Sequence, residues 1–342
     1  MITKPSDIHY CNVDESKIHN AHPSYDLEML KLLHYYIHER YSIHIKKDVL
    51  QLPSPWTTDP ILSRLRFTQV RREHDRCSKW LINHISNNDS FSLSDRIYNT
   101  LLYRMYNVDT TGELLDLPIR FTDGWIDRCI TALDSVTNAL YYTNAYKTIG
   151  FRIHNCKKYD LDYSSQSQYA PLYITRDLIQ NGLADKLLSC NSQVDVYNLL
   201  QHSIFGCGSF LAYQFYVDLC YIDEFPFSEN EFVVSGPGCS YGLHMLITDL
   251  DGLSDDELLF WIRDNLASIF NQNHLHYNPN ELFYDLLEYD RCINIMSLEN
   301  IFCEFSKYQV RRHYTHKKMR AYRPRNNSNE SEDKMNESKE SQ

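Results

Sequence analysis

Glycine and proline are scarce in this chain: 10 Gly and 11 Pro among 342 residues. So few turn formers argue against a turn-rich all-β fold and for long helices. No GxxxxGK[ST] stretch occurs, no Gly-Lys pair exists, and GxGxxG is absent. These absences exclude a P-loop kinase in these residues and a Gly-rich phosphate cradle of the kinase or dinucleotide-binding kind. The ten cysteines include no CxxC pair, which removes the zinc-ribbon and thioredoxin-like readings. No HxxxH pair carries the glutamate of a zincin. His34 and His38 lie four apart without an evident third ligand, so no metal site is expected. No apolar run reaches the ~18 residues of a membrane span, and no secretory leader is evident. Scattered thiols without a disulfide framework suit an intracellular, nuclear or cytoplasmic, protein.

What is present is aromatic and acidic. Hydrophobic residues make up 43% of the chain, with 26 Tyr and 15 Phe, enough for a real core. The formal net charge is −11, which disfavours nucleic acid only if charge is evenly spread. It is not. From Phe305 to Arg325, Lys307, Arg311, Arg312, Lys317, Lys318, Arg320, Arg323 and Arg325 meet no Asp or Glu. The polar, acidic 325–342 tail cannot bury a core and is expected to be disordered. Residues 1–23 read as an irregular arm and 24–324 as one helical domain.

Apolar spacing predicts helices over Tyr25–Arg40, Leu93–Tyr106, Trp125–Thr137, Ile174–Cys190, Gln193–His202, Phe210–Cys220, 254–271, Asn280–Tyr289 and Ser297–Tyr308, with a weaker segment at Tyr141–Gly150. The fold class is all-α and multi-helical. Trp56–Leu81 reads as two helices or one bent helix opened by Asp59-Pro60. It carries Arg64, Arg66, Arg71, Arg72, Arg76 and Lys79 against Asp59, Glu73 and Asp75. That face either meets solvent or grips an anion.

Three further stretches suggest chemistry. Leu199–Asp218 places Gly206 and Gly208 between two helices, the pattern of a helix-hairpin-helix, in which glycines let backbone N–H groups approach a DNA phosphate. An ordinary helix C-cap gives the same pattern. Gly236, Gly238 and Gly242 cluster around Pro237, and such a loop before a helix can offer N–H donors to a phosphate or oxyanion. An ordinary turn is the alternative. Ile301–Arg312 runs Glu304, Lys307, Tyr308 and Arg311 into the basic segment, which fits backbone contact to nucleic acid or a merely solvated tail.

PWTTDPILSRLRFTQVRREHDRCSKWL, preceded by HERYSIHIKK and followed in order by GCGSFLAYQFYVDLCY, VVSGPGCSYGL and FCEFSKYQVRR, resembles a known family. It is similar to the α-glutamyl/putrescinyl thymine pyrophosphorylases and to the helical domain found beside 5-hydroxymethyluracil DNA kinases. The resemblance runs from about Tyr25 to Pro324. Where the family has RFTN this chain has Gln69, and Arg71 stands where an aromatic is common.

The resemblance implies a fold related to the helix-hairpin-helix DNA glycosylases. It also implies an activity: displacement of pyrophosphate from a 5-(pyrophosphoryloxymethyl)uracil in DNA by an amine. The expected partners are then DNA, an amino acid or polyamine, and a separate DNA base kinase; no cofactor is expected. A base inside a duplex must be extruded or single-stranded to be reached. Arg66, Arg72, Arg76 and the Gly236–Gly238 loop are candidates to meet the leaving pyrophosphate. Asp75, or alternatively Asp218, is the candidate base for the amine. Thr68, Gln69, Gly206, Gly208, Gln214, Glu304, Lys307, Tyr308 and Arg311 complete the expected DNA- and phosphate-contacting set. A non-catalytic DNA-binding module and a glycosylase acting on a modified base are the alternatives.

Overall fold

The computed structural model describes residues 13–136, 140–143 and 149–313. The basic segment beyond residue 313, the 325–342 tail, most of the N-terminal arm and residues 144–148 of the weak helical expectation lie outside the described residues. In chain order the helices are α1 (Glu15–Asn20), α2 (Leu27–His44), α3 (Arg76–Leu81), α4 (Leu93–Tyr106), α5 (Asp109–Leu114), α6 (Trp125–Asp134), α7 (Ile149–Lys158), α8 (Ala170–Gln180), α9 (Leu183–Leu188), α10 (Gln193–Ser203), α11 (Ser209–Leu219), α12 (Pro237–Leu246), α13 (Asp255–Gln272), α14 (Pro279–Leu282) and α15 (Ile295–His313). Two short strands, β1 (Ser24–Tyr25) and β2 (Ile247–Asp249), pair antiparallel and are the only sheet among the described residues. The all-α expectation holds.

The chain forms two compact units. Among the described residues one is continuous, Arg76–Ser228, and the other is split, joining the residues from 13 to 75 to those from 229 to 313. In the continuous unit α4 is the core helix. Ser92 caps it by accepting from Asp95 N–H at 3.1 Å, and every residue from Arg96 to Tyr106 is buried. Asn107 ends it in the left-handed conformation, φ 53°, where Asn tolerates what most residues do not. Helices α8, α9 and α11 pack on α4, and α10 packs on α11. Trp80 stacks on Tyr103 at 4.7 Å. The helix expected over Ile174–Cys190 is two helices, because Gly182 turns the chain at φ 61°.

In the split unit α15 is the core helix, with α2, α12 and α13 against it. Asp26 caps α2 by accepting from Met29 N–H at 2.8 Å. Leu30, Leu33, Tyr36 and Ile37 bury the α2 face that periodicity predicts, while Leu27 stays exposed. Ser254 and Glu257 cap α13 reciprocally, as the sequence suggests. Lys17 of α1 bonds Glu257 at 2.6 Å, giving part of the N-terminal arm a docked helix.

The glycines of α12 serve close packing. A Cβ on Gly242 would lie 2.2 Å from the Phe302 carbonyl oxygen, and one on Gly238 would lie 2.7 Å from Cys303 Sγ. Helices α12 and α15 therefore touch nearly backbone to backbone.

Trp56–Leu81 departs from expectation. Asp59 Oδ1 accepts from Ile61 and Leu62 N–H at 2.8 Å each, but only a turn follows. The chain then runs irregularly to a single 3-10 turn at Arg72–His74, and α3 begins at Arg76.

Candidate functional site

Irregular backbone must find its hydrogen bonds outside a helix or sheet ladder. Over residues 67–72 they come from distant side chains of the split unit. Arg40 on α2 donates from Nε to the Thr68 carbonyl at 3.0 Å and from its guanidinium to the Phe67 carbonyl at 3.1 Å. Asn300 on α15 donates to Thr68 Oγ1 at 2.9 Å and to the Gln69 carbonyl at 3.2 Å. Glu304 accepts from Thr68 N–H at 3.4 Å, and Asp75 accepts from Gln69 N–H at 2.9 Å. Ser297 accepts from Arg72 N–H at 3.3 Å. The signature is thus a strap laced onto α2 and α15.

This lacing assembles three carboxyls and three cations. Asp75 keeps partial exposure as a residue, but its carboxyl is set among protein atoms. Burial lifts it from 3.8 to about 6, opposed by the Gln69 N–H bond, Arg40 and Arg72. Glu299, one turn before Cys303 on α15, is likewise raised from 4.5 to about 7 by burial, opposed by the Gly236 N–H bond, Arg72 and Lys307. Arg72 is buried and acts on both carboxyls. Glu304 is buried and bonded to Lys307 at 2.5 Å. A carboxyl that titrates near neutrality beside fixed cations can accept a proton, while the guanidinium groups can face developing negative charge.

The expected site residues divide between the units. Arg66, Thr68, Gln69, Arg72, Asp75, Gly236, Gly238, Glu304, Lys307, Tyr308 and Arg311 belong to the split unit, and Arg76, Gly206, Gly208, Gln214 and Asp218 to the continuous one. Within the split unit, Arg72, Asp75, Glu304 and Lys307 converge. Arg66 is exposed, and Arg311 lies in the basic last turn of α15. Tyr308 is buried and donates to Asp59 Oδ2 at 2.7 Å, a packing role rather than a phosphate contact. Two N–H donors at the Gly236 loop are engaged within the protein: Ser235 N–H bonds Asp256 at 2.7 Å and Gly236 N–H bonds Glu299 at 3.2 Å.

In the continuous unit, Asp218 has no exposed surface and its two oxygens accept from Nε and one terminal nitrogen of Arg104. Arg104 also donates to Asn107 Oδ1 at 3.0 Å. Such a fully enclosed ion pair favours the structural reading of Asp218. Arg76 pairs with Asp109 at 3.1 Å. Gln214 is buried on α11, so it does not offer its amide to a phosphate as placed. In the α10–α11 turn Gly206 takes φ 74°, and no heavy atom lies within 4 Å of a Cβ on Gly208, a geometry that an ordinary helix C-cap shares with a helix-hairpin-helix.

Two residues of the constellation carry no expectation from the sequence. Arg40 lies inside HERYSIHIKK but gives no local sign of reaching Phe67 and Thr68. Glu299 could have been found from α15 itself, where Glu299, Asn300, Cys303, Glu304 and Lys307 form a polar stripe on an otherwise buried helix. Arg71 is likewise structural. It is buried, bonded to Glu73 and Asp290, and donates to the carbonyls of Asp290 and Cys292.

Comparison with known proteins bears on this site. A 5-hmdU DNA kinase of Bacillus phage SP10 is 24% identical over 283 residues, covering 79% of this chain and 43% of the relative. The chain therefore spans less than half the length of that relative. No solved structure matches. The family described as 5-hmdU DNA kinase, helical domain, matches residues 27–318, which include both the strap and α15. With that match across most of its length, the chain belongs to the family of 5-hmdU DNA kinase helical domains.

Proposed function

We propose that the chain acts on DNA bearing a uracil modified at C5, replacing the pyrophosphate of a 5-(pyrophosphoryloxymethyl)uracil with an amine. The observation that carries this reading is the enclosed constellation of Asp75, Glu299 and Glu304 with Arg40, Arg72 and Lys307, built on the signature strap. An alkylammonium co-substrate gives one proton to Asp75, or to Glu299, and becomes a neutral amine. Its lone pair attacks the C5 methylene. The C–N bond forms as the C–O bond breaks, and pyrophosphate leaves with that electron pair. The product keeps the remaining protons as a secondary ammonium. In this reading Arg72 faces the charge building on the leaving group, with Arg40 adding its positive charge from behind the Phe67 and Thr68 carbonyls. The family's kinase name and the lack of a P-loop motif fit a division of labour, with phosphorylation performed elsewhere and a DNA partner shared.

The test is incubation with duplex and single-stranded DNA carrying the pyrophosphorylated base and a panel of amino acids and polyamines, followed by nucleoside mass spectrometry. A new nucleoside with matching pyrophosphate release supports the reading. Asp75→Asn is expected to cost about 10²- to 10⁴-fold in turnover while DNA binding persists. No new nucleoside and no pyrophosphate across the panel would sink it.

A second reading, a DNA-binding module without catalysis, is favoured by the internal partners of Glu299 and Glu304. Salt-dependent binding with no chemistry in that assay would select it. Alkali-labile abasic sites would instead indicate base excision.

A further inference from the structure

Beyond the carboxyl constellation, the split unit holds a second cluster of polar side chains. His44 at the end of α2, His74 on the 3-10 turn and Asp285 after α14 each point one ligand-type atom at the others, all within 4.8 Å of one another. His44 is buried, and its Nε2 lies 3.5 Å from Asp285 Oδ2. The His44 and His74 rings stack at 4.2 Å. We propose that His44, His74 and Asp285 form a site for a divalent transition-metal ion of the zinc class.

The groups behind these three side chains carry the argument. Metal-binding histidines nearly always use the second ring nitrogen on a carboxylate or carbonyl, and ligating carboxylates are themselves hydrogen-bonded. Here His44 Nδ1 sits 3.0 Å from Asp48 Oδ2, which also accepts from Gln69 Nε2 at 3.2 Å. The other oxygen of Asp285, Oδ1, accepts from Tyr41 O–H at 2.7 Å. Both ligands thus have their supporting partners in place, with His44 Nε2 and Asp285 Oδ2 directed at a common point. An ion pair of protonated His44 with its two carboxylates would account for those contacts, but not for a second imidazole laid against the cationic ring.

Two nitrogens and one carboxylate oxygen suit zinc, cobalt(II) or iron(II) and leave a fourth position for water. At metal–ligand distances of about 2.0–2.2 Å the three atoms must draw in by about 1 Å, which a single 3-10 turn and a loop can provide. The HxxxH pair in the sequence is a different feature. The His34 and His38 rings lie 4.2 Å apart, tilted by 35°, and His34 Nε2 bonds the His276 carbonyl at 2.7 Å.

The ion would fix His74 between Arg72 and Asp75. Through Asp48 and Gln69 it would also tie the strap to α2, making it a positioning device for the signature rather than a group touching DNA.

The experiment uses the full chain, stripped with chelator and reloaded with Zn²⁺ or Co²⁺, then passed through a desalting column. Metal content is read by mass spectrometry and coordination by the Co²⁺ visible spectrum. The expectation is one ion per chain with a four- or five-coordinate Co²⁺ band. His74→Ala and Asp285→Asn should each abolish retention, and Asp48→Asn should weaken binding by about 10- to 100-fold. His276→Ala, at an exposed histidine whose side chain pairs with Glu281, is the control and should leave metal retention unchanged. The wild-type Co²⁺ spectrum decides the question even if a variant fails to fold. An unsaturable or purely six-coordinate Co²⁺ signal, no retained ion, or equal loss in His276→Ala and His74→Ala would overturn the proposal.

Discussion

Replacing Glu299 by Gln isolates one buried carboxyl and gives a worked test of the constellation. Burial raises its folded value from 4.5 to about 7. Between those two values the folded chain holds a proton that the unfolded chain has released, so stability falls as pH rises through that window. A rise of that size is worth about 3 kcal/mol once both states are ionised. Gln keeps the shape and can still accept the Gly236 N–H bond, which is 3.2 Å long in the parent chain. Glu299→Gln should therefore match wild type near pH 4.5. It should become more stable by an amount growing to about 3 kcal/mol by pH 8. Urea unfolding at the two pH values, followed by far-UV circular dichroism, measures the gap directly. Taking the difference between the two proteins removes the contribution of Asp75, which titrates in an overlapping range. A gap that stays flat, or closes as pH rises, would mean that Glu299 is not enclosed as described. The base candidates would then reduce to Asp75.

Other perturbations separate the roles assigned above. Asp218→Asn leaves Arg104 buried without its counter-charge and should cost about 3–5 kcal/mol in thermal or urea unfolding. Wild-type stability in that variant would return Asp218 to the list of catalytic candidates. Gly242→Ala drives a methyl into the Phe302 carbonyl and should destabilise the split unit by about 1–3 kcal/mol, seen as a lower unfolding midpoint. Arg66→Ala should weaken DNA binding about equally across sequences and flatten the plot of log affinity against log salt by about one unit. An unchanged slope would mean that Arg66 meets no phosphate.

How far the sequence could carry these conclusions depended on whether a feature's partners were close in the chain. Helices α4 and α13 were legible because their caps, Ser92 and the Ser254–Glu257 box, lie three residues from what they bond. Gly236, Gly238 and Gly242 were not legible in the same way. Their clustering does mark a place where side chains cannot fit, but only the position of α15 reveals that the close neighbour is another helix. The strap is the extreme case. Its local signals, Asp59-Pro60 and an apolar rhythm, favour helix, and they lose to Arg40, Asn300 and Glu304, which lie up to 236 residues away and take its backbone hydrogen bonds. Gln69 carries the same lesson into function. From the sequence it is one departure from RFTN. In the fold its N–H holds Asp75 while its side chain holds Asp48 behind His44. An asparagine is one methylene shorter and, with the backbone pinned as it is, would reach less far toward Asp48. The exchange at position 69 therefore bears first on the coupling between the proposed base and the proposed metal ligands, before any contact with a substrate. Gln69→Asn should accordingly leave DNA affinity within about twofold and lower metal affinity by about 10- to 100-fold, as loss of an outer-shell partner does. A larger effect on DNA binding than on metal retention would place Gln69 at the nucleic acid instead.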